Sequence, residues 1–140
     1  MLKKSISVIV ILCLLLVMAI SPVSAAVNPG KSAGLMAEYY FSASAELSIS
    51  ASGMAEVKGR LTGLTGVTTK TTVHLYLQRY KDGKWEDVDD WLSTGETVNR
   101  SLTKTKQVTK GYKYRAKASC YAYSGTKYEH VTKYSGTVSY

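Results

Sequence analysis

Between Gly111 and Ala122 the chain alternates strictly, and this segment constrains the fold more than any other. Even positions carry Tyr112, Tyr114, Ala116, Ala118, Cys120 and Ala122. Odd positions carry Lys113, Arg115 and Lys117, with Tyr121 and Tyr123 continuing the same side. A period of two sends successive side chains to opposite faces of a strand. One face is then small and apolar, and the other is a ladder of cations ending in two tyrosines. Such a strand must lay its apolar face on a second layer, which commits the chain to a layered β structure.

The rest of the chain follows the same period. Ala45, Leu47, Ile49 and Ala51 alternate with Glu46, Ser48 and Ser50, and Ser52-Gly53 turns the chain. Ala55, Val57, Gly59 and Leu61 alternate with Glu56, Lys58, Arg60 and Thr62, a second strand with its basic side outward. Val73, Leu75 and Leu77 oppose His74, Tyr76, Gln78 and Tyr80 in a third. Lys81-Asp82-Gly83-Lys84 then forms a hairpin turn, because Gly83 tolerates the positive φ such turns demand. In the fourth strand, WEDVDDWL, Trp85, Val88 and Trp91 recur every third residue. The sequence predicts a bulge there that brings all three to one side. Val98 and Leu102 mark a fifth strand reaching as far as Val108, and Tyr128 to Tyr140 a seventh. Seven short antiparallel strands with regular turns predict a Greek-key β-sandwich of the immunoglobulin or fibronectin III kind.

The amino terminus reads differently. Lys3 and Lys4 precede an apolar run from Ile6 to Ile20, and Val23-Ser24-Ala25 offers small residues for cleavage. This is the pattern of a secretory signal peptide over residues 1–25. The run is shorter than the roughly 20 residues a spanning helix needs, so no stable membrane span follows cleavage; retention as an anchor is the alternative. Residues 26–36 read as a flexible leader and 37–140 as one β-sandwich domain. The expected product is secreted, extracellular or wall-associated, and monomeric. Cys13 falls within the signal, so Cys120 has no partner for an intrachain disulfide and reads as a small apolar filler.

Reaction chemistry is hard to find. His74 and His130 stand apart among Thr, Val and Tyr, and no nucleophile elbow or zinc spacing accompanies them. Glu86, Asp87, Asp89 and Asp90 crowd one strand, but their spacing fits no calcium-loop template. They read instead as an acidic edge that discourages sheet-to-sheet aggregation. No metal, cofactor or catalytic residue is assigned. Trp85 and Trp91 read as packing residues, and Tyr114, with Tyr112 second, as an anchor at the start of the sixth strand.

Charge and aromatics point to a surface function. Residues 98–140 hold nine basic side chains against one acidic, and the whole chain holds 11 tyrosines but one phenylalanine. If the third and sixth strands are neighbours, as in immunoglobulin-like sheets, Tyr76 and Tyr80 share a face with Lys113, Arg115, Lys117, Tyr121 and Tyr123. Such a face suits an anionic wall polymer, a glycan or a surface protein. The expectation is an exported, non-enzymatic binding module. A cationic bacteriocin-like effector and a carbohydrate-binding sandwich are the alternatives.

Two resemblances accompany this reading. Gly111-Tyr112-Lys113-Tyr114-Arg115-Ala116-Lys117-Ala118 resembles the sixth strand of fibronectin type III and immunoglobulin-like domains, where a tyrosine after a turn anchors the strand. Over residues 60–138 the order LYLQRY, KDGKW, W, GYKYRAKA, YSG and E-x-x-T-x-YSG is similar to a family of small single-domain proteins exported by Gram-positive bacteria. The second resemblance implies export and a sandwich, and it brings no catalytic or binding residues with it.

Overall fold

A computed structural model describes residues 37–140; the expected signal peptide 1–25 and leader 26–36 lie outside the described residues. In chain order the strands are β1 (Tyr40–Ile49), β2 (Met54–Gly63), β3 (Lys70–Lys81), β4 (Lys84–Gly95), β5 (Asn99–Gln107), β6 (Lys113–Ser124), β7 (Lys127–Tyr134) and β8 (Val138–Ser139). They build two antiparallel sheets, one ordered β1-β2-β5 and the other β4-β3-β6-β7, with β8 pairing β6 beyond the end of β7. This is an immunoglobulin-like sandwich, with the third and sixth strands as neighbours at the centre of the larger sheet.

The core comes from the alternating faces of three strands. Ala55, Val57 and Leu61 of β2 meet Val73, Leu75 and Leu77 of β3 and Ala116, Ala118, Cys120 and Ala122 of β6, all at most 1% exposed. Each buried branched side chain contributes roughly 1.5–3 kcal/mol relative to leaving it in water. Gly59 sets how closely the sheets approach. A Cβ there would lie 3.0 Å from Val73 Cγ1 and 3.1 Å from Leu75 Cδ1. At the entry to β6, the buried Tyr114 hydroxyl donates to the Thr109 carbonyl at 2.8 Å and accepts from the Thr109 amide at 3.2 Å. This tyrosine corner ties the strand to the loop before it. Tyr112 packs edge-on to Tyr114, and Arg79 lies over its ring.

Three elements depart from the simple period. The single last strand expected over Tyr128–Tyr140 is broken, because Ser135 leaves the ladder: its hydroxyl accepts the Ala116 amide at 2.8 Å, and pairing resumes only at Val138. The first strand begins earlier, at Tyr40, and Ala51 lies in the turn rather than the strand. The fourth strand does carry a bulge, with the register shifting between Leu77↔Asp89 and Gln78↔Asp87 so that Val88 is the extra residue. It does not bring the three apolar residues to one side. One inserted residue inverts the parity of everything before it relative to everything after. Trp91 therefore opposes Leu75 on the core side, while Trp85 opposes Tyr80 on the outer side.

Candidate binding face

The registers of β3 with β4 and β6, and of β6 with β7, align the outer face of the larger sheet in rows. One end row is Trp85, Tyr80 and Lys113, and the next is Asp87, Gln78 and Arg115. Then come Asp90, Tyr76, Lys117 and Tyr134, and after them Leu92, His74, Ser119 and Thr132. Thr72, Tyr121 and His130 form another row, and Lys70, Tyr123 and Tyr128 the last. Thus Tyr76, Tyr80, Lys113, Arg115, Lys117, Tyr121 and Tyr123 all lie on one face. Lys70, Tyr128, His130 and Tyr134 join them, and so does Trp85, which the sequence had assigned to packing.

The cations do not stand free as a ladder. The Arg115 guanidinium carbon sits 4.2 Å from the ring centres of both Trp85 and Tyr134. Lys117 Nζ lies 4.5 Å from the centre of the Tyr76 ring, and Lys70 Nζ 4.2 Å from that of Tyr123. Each such contact is worth about 0.5–2 kcal/mol, rising as water is excluded. No carboxylate among the described residues lies within ion-pair distance of Lys70, Lys113, Arg115 or Lys117. Beneath Arg115 is Gln78, only 7% exposed although it belongs to the outer face. Its carbonyl accepts from Arg115 Nε at 2.8 Å, and its amide donates to Asp87 Oδ1 at 2.7 Å.

At the other end of the face Tyr121, Tyr123 and Tyr128 gather with ring centres 5.6–6.4 Å apart, and His130 stacks on Tyr121 at 4.5 Å. The histidines are tied to neighbours. His74 Nε2 contacts Asp90 at 2.6 Å and its Nδ1 the Tyr76 hydroxyl at 2.7 Å, while His130 Nε2 contacts Ser119 Oγ at 2.7 Å. Burial, and then the negative charges of Asp90 and Asp87, hold the Tyr76 hydroxyl above the usual tyrosine range.

The four clustered carboxylates divide between the two sides of β4. Asp87 and Asp90 face outward, whereas Glu86 and Asp89 occupy the inner side. Glu86 accepts from Arg79 Nε at 2.9 Å, and Asp89 bridges to Lys106 of the opposite sheet at 2.8 Å. Hydrogen bonds from these cations hold both carboxyls below their ordinary values. Among the described residues no group of three His, Cys, Asp or Glu side chains is placed to share a metal ion. Cys120 is fully buried, and desolvation pushes its thiol up to about 11.

Of the residues that sequence reasoning left out, Tyr128, His130 and Tyr134 share one cause. In β7 the alternation of Tyr128, His130, Thr132 and Tyr134 with Glu129, Val131 and Lys133 offers a single apolar residue, Val131, to mark the core side. That one parity marker was the available signal. Val131 opposes Cys120 of the core, which sends the tyrosines outward.

No family model matches the chain, and no curated protein matches it. Among solved structures it is similar to a CARDB domain from Pyrococcus furiosus, solved in complex with di-metal ions. The two are 16% identical over 76% of this chain and 97% of that one, with a TM-score of 0.40. At that level the likeness transfers no residue role and no ligand.

Proposed function

We propose that the protein is an exported, non-enzymatic binding module that contacts anionic envelope or extracellular polymers through the outer face of its larger sheet. The observation that carries this reading is the coincidence of Lys70, Lys113, Arg115 and Lys117 with seven aromatic rings on one face, with no ion pair to those cations among the described residues. A polyanion laid along the rows would displace counterions from the cations while its sugar or lipid-like segments rest on rings. Export is supported by the basic head, the short apolar run and the Val23-Ser24-Ala25 site. The hydroxyl–imidazole contacts, Tyr76 with His74 along β3 and Ser119 with His130 between β6 and β7, are read as structural ties rather than as catalytic groups.

The test is sedimentation of the purified protein with isolated Gram-positive walls at about 50 mM and about 500 mM salt, a span over which contacts to several phosphates weaken steeply. Binding at low salt that disappears at high salt, and that Lys113→Glu with Lys117→Glu weakens by an order of magnitude or more, is expected. Binding indifferent to both would overturn the reading. One observation favours a second reading, the recognition of neutral sugars: Tyr128 is 59% exposed and Tyr134 51% exposed. Salt-resistant binding lost in Tyr128→Ala would select it.

A further inference from the structure

Gln78 is the anomaly on the outer face. A polar side chain on a solvent-facing row is buried, roofed by the ring–guanidinium–ring stack of Trp85, Arg115 and Tyr134. Asp87 accepts its amide N–H, which turns the Gln78 carbonyl toward Arg115 Nε. The chain from Asp87 through Gln78 to Arg115 fixes the guanidinium in rotation, and the two rings fix its plane. Arg115 therefore presents its remaining N–H edge in one orientation, already partly stripped of water. Preorganisation of this kind removes the ordering cost that a flexible surface arginine would meet on binding.

Immediately beside the stack is a cleft of about 330 Å³ lined by Tyr80, Trp85, Lys113 and Thr137. The Tyr80 and Trp85 rings stand 5.2 Å apart and tilted by 58°, forming an angled apolar wall. Lys113 supplies an ammonium and Thr137 a hydroxyl. We infer that the Trp85–Arg115–Tyr134 stack and this cleft together form a subsite for a carboxylated sugar ring, a uronic-acid unit of an acidic polysaccharide. The inference rests on the polymer-binding reading above and names the unit of polymer the face takes. A uronate joins an apolar C–H face and a planar carboxylate within one ring. The subsite joins an aromatic wall and a planar guanidinium through Trp85, whose ring lines the cleft and lies 4.2 Å from the Arg115 guanidinium carbon, and the guanidinium edge matches two carboxylate oxygens. A phosphodiester polymer has the charge but does not place it on the stacking ring.

The experiment compares binding of the purified protein to polygalacturonate, to its methyl ester, which keeps the rings and removes the charge, and to inorganic polyphosphate. Tight binding to polygalacturonate is expected, about tenfold or more weakened by esterification, as for loss of one bidentate charged contact. Arg115→Lys, which preserves charge, is expected to weaken polygalacturonate binding about tenfold while changing polyphosphate binding less than twofold. Gln78→Leu, also charge-neutral, should weaken it several-fold, and thermal unfolding of both variants checks that they remain folded. Arg115→Lys carries the test alone if Gln78→Leu does not fold. Equal affinity for the polymer and its ester, or equal losses on both polyanions, would overturn the subsite. Binding to polyphosphate but not polygalacturonate would overturn it while leaving the broader polyanion reading in place, and binding to neither polyanion would remove both.

Discussion

On the outside of the three-stranded sheet, β2 presents Glu56, Lys58, Arg60 and Thr62 between Ser44, Glu46 and Ser48 of β1 and Ser101, Thr103 and Thr105 of β5. On the outside of the larger sheet, the same kind of solvent-facing positions hold Trp85, Tyr76, Tyr80, Tyr121, Tyr123, Tyr128 and Tyr134. Both faces cover a core of similar construction, and both alternate with it residue by residue. Serine, threonine and mixed charges are thus enough to face water on this sandwich. The rings of the larger sheet exceed what folding asks of a solvent face, and that excess is why the proposed binding face is placed there.

The contrast can be broken directly. The largest effect expected is on wall binding: Lys113→Glu with Lys117→Glu should reduce it by an order of magnitude or more at low salt, since each lost phosphate contact compounds the others. Lys58→Glu with Arg60→Glu makes the same change in net charge on the opposite face and should leave sedimentation unchanged. Equal losses would mean that net charge alone governs binding. Gly59→Val tests the packing both faces share. The new side chain must push aside Val73 and Leu75, and urea unfolding should show a loss of about 1–3 kcal/mol.

A comparable loss, about 1–3 kcal/mol, is expected for Tyr114→Phe, which leaves the Thr109 carbonyl and amide without their partner. The inner side of β4 should respond to acid. The Glu86 and Asp89 carboxyls are depressed in the folded state, so their stabilisation is complete above the ordinary carboxylate value and is lost as pH falls through their lower folded values. Asp89→Asn should flatten the acid limb of a stability–pH curve. The smallest signal belongs to Cys120. With its thiol raised to about 11 and no exposed surface, it should resist alkylation at neutral pH until the protein is unfolded by denaturant.

Where a strand buries one complete face, its residues announce it. β2, β3 and β6 alternate cleanly because their apolar sides meet the opposing sheet along their length, and from them the sandwich and seven of the face residues could be read. β5 shows only Leu102 of an apolar side, for a physical reason. It is an edge strand whose core-side positions are Arg100, Leu102, Lys104 and Lys106, and the last of these closes the seam by pairing with Asp89 across the sheets. Charges turned toward an edge protect it from pairing with another chain and erase its apolar pattern. The Arg115 stack was hidden for another reason. Arg115 reaches sideways to Trp85 of β4 and Tyr134 of β7, and a period that assigns faces says nothing about how far a side chain leans along its face.

The extra residue at Val88 works like a frameshift in a message read two letters at a time. Trp85 and Asp87, on its hairpin side, are read out to solvent because the ladder skips this letter instead of counting it. Drawing Val88 into the ladder would turn Trp85 inward and Glu86 outward, removing one wall of the arginine stack without altering any residue that touches it, whereas deleting Val88 would leave Asp87 opposite Gln78 and Trp85 on the outer face. One skipped position in the pairing, rather than the chemistry of any one side chain, decides whether this sheet has an aromatic face at that end.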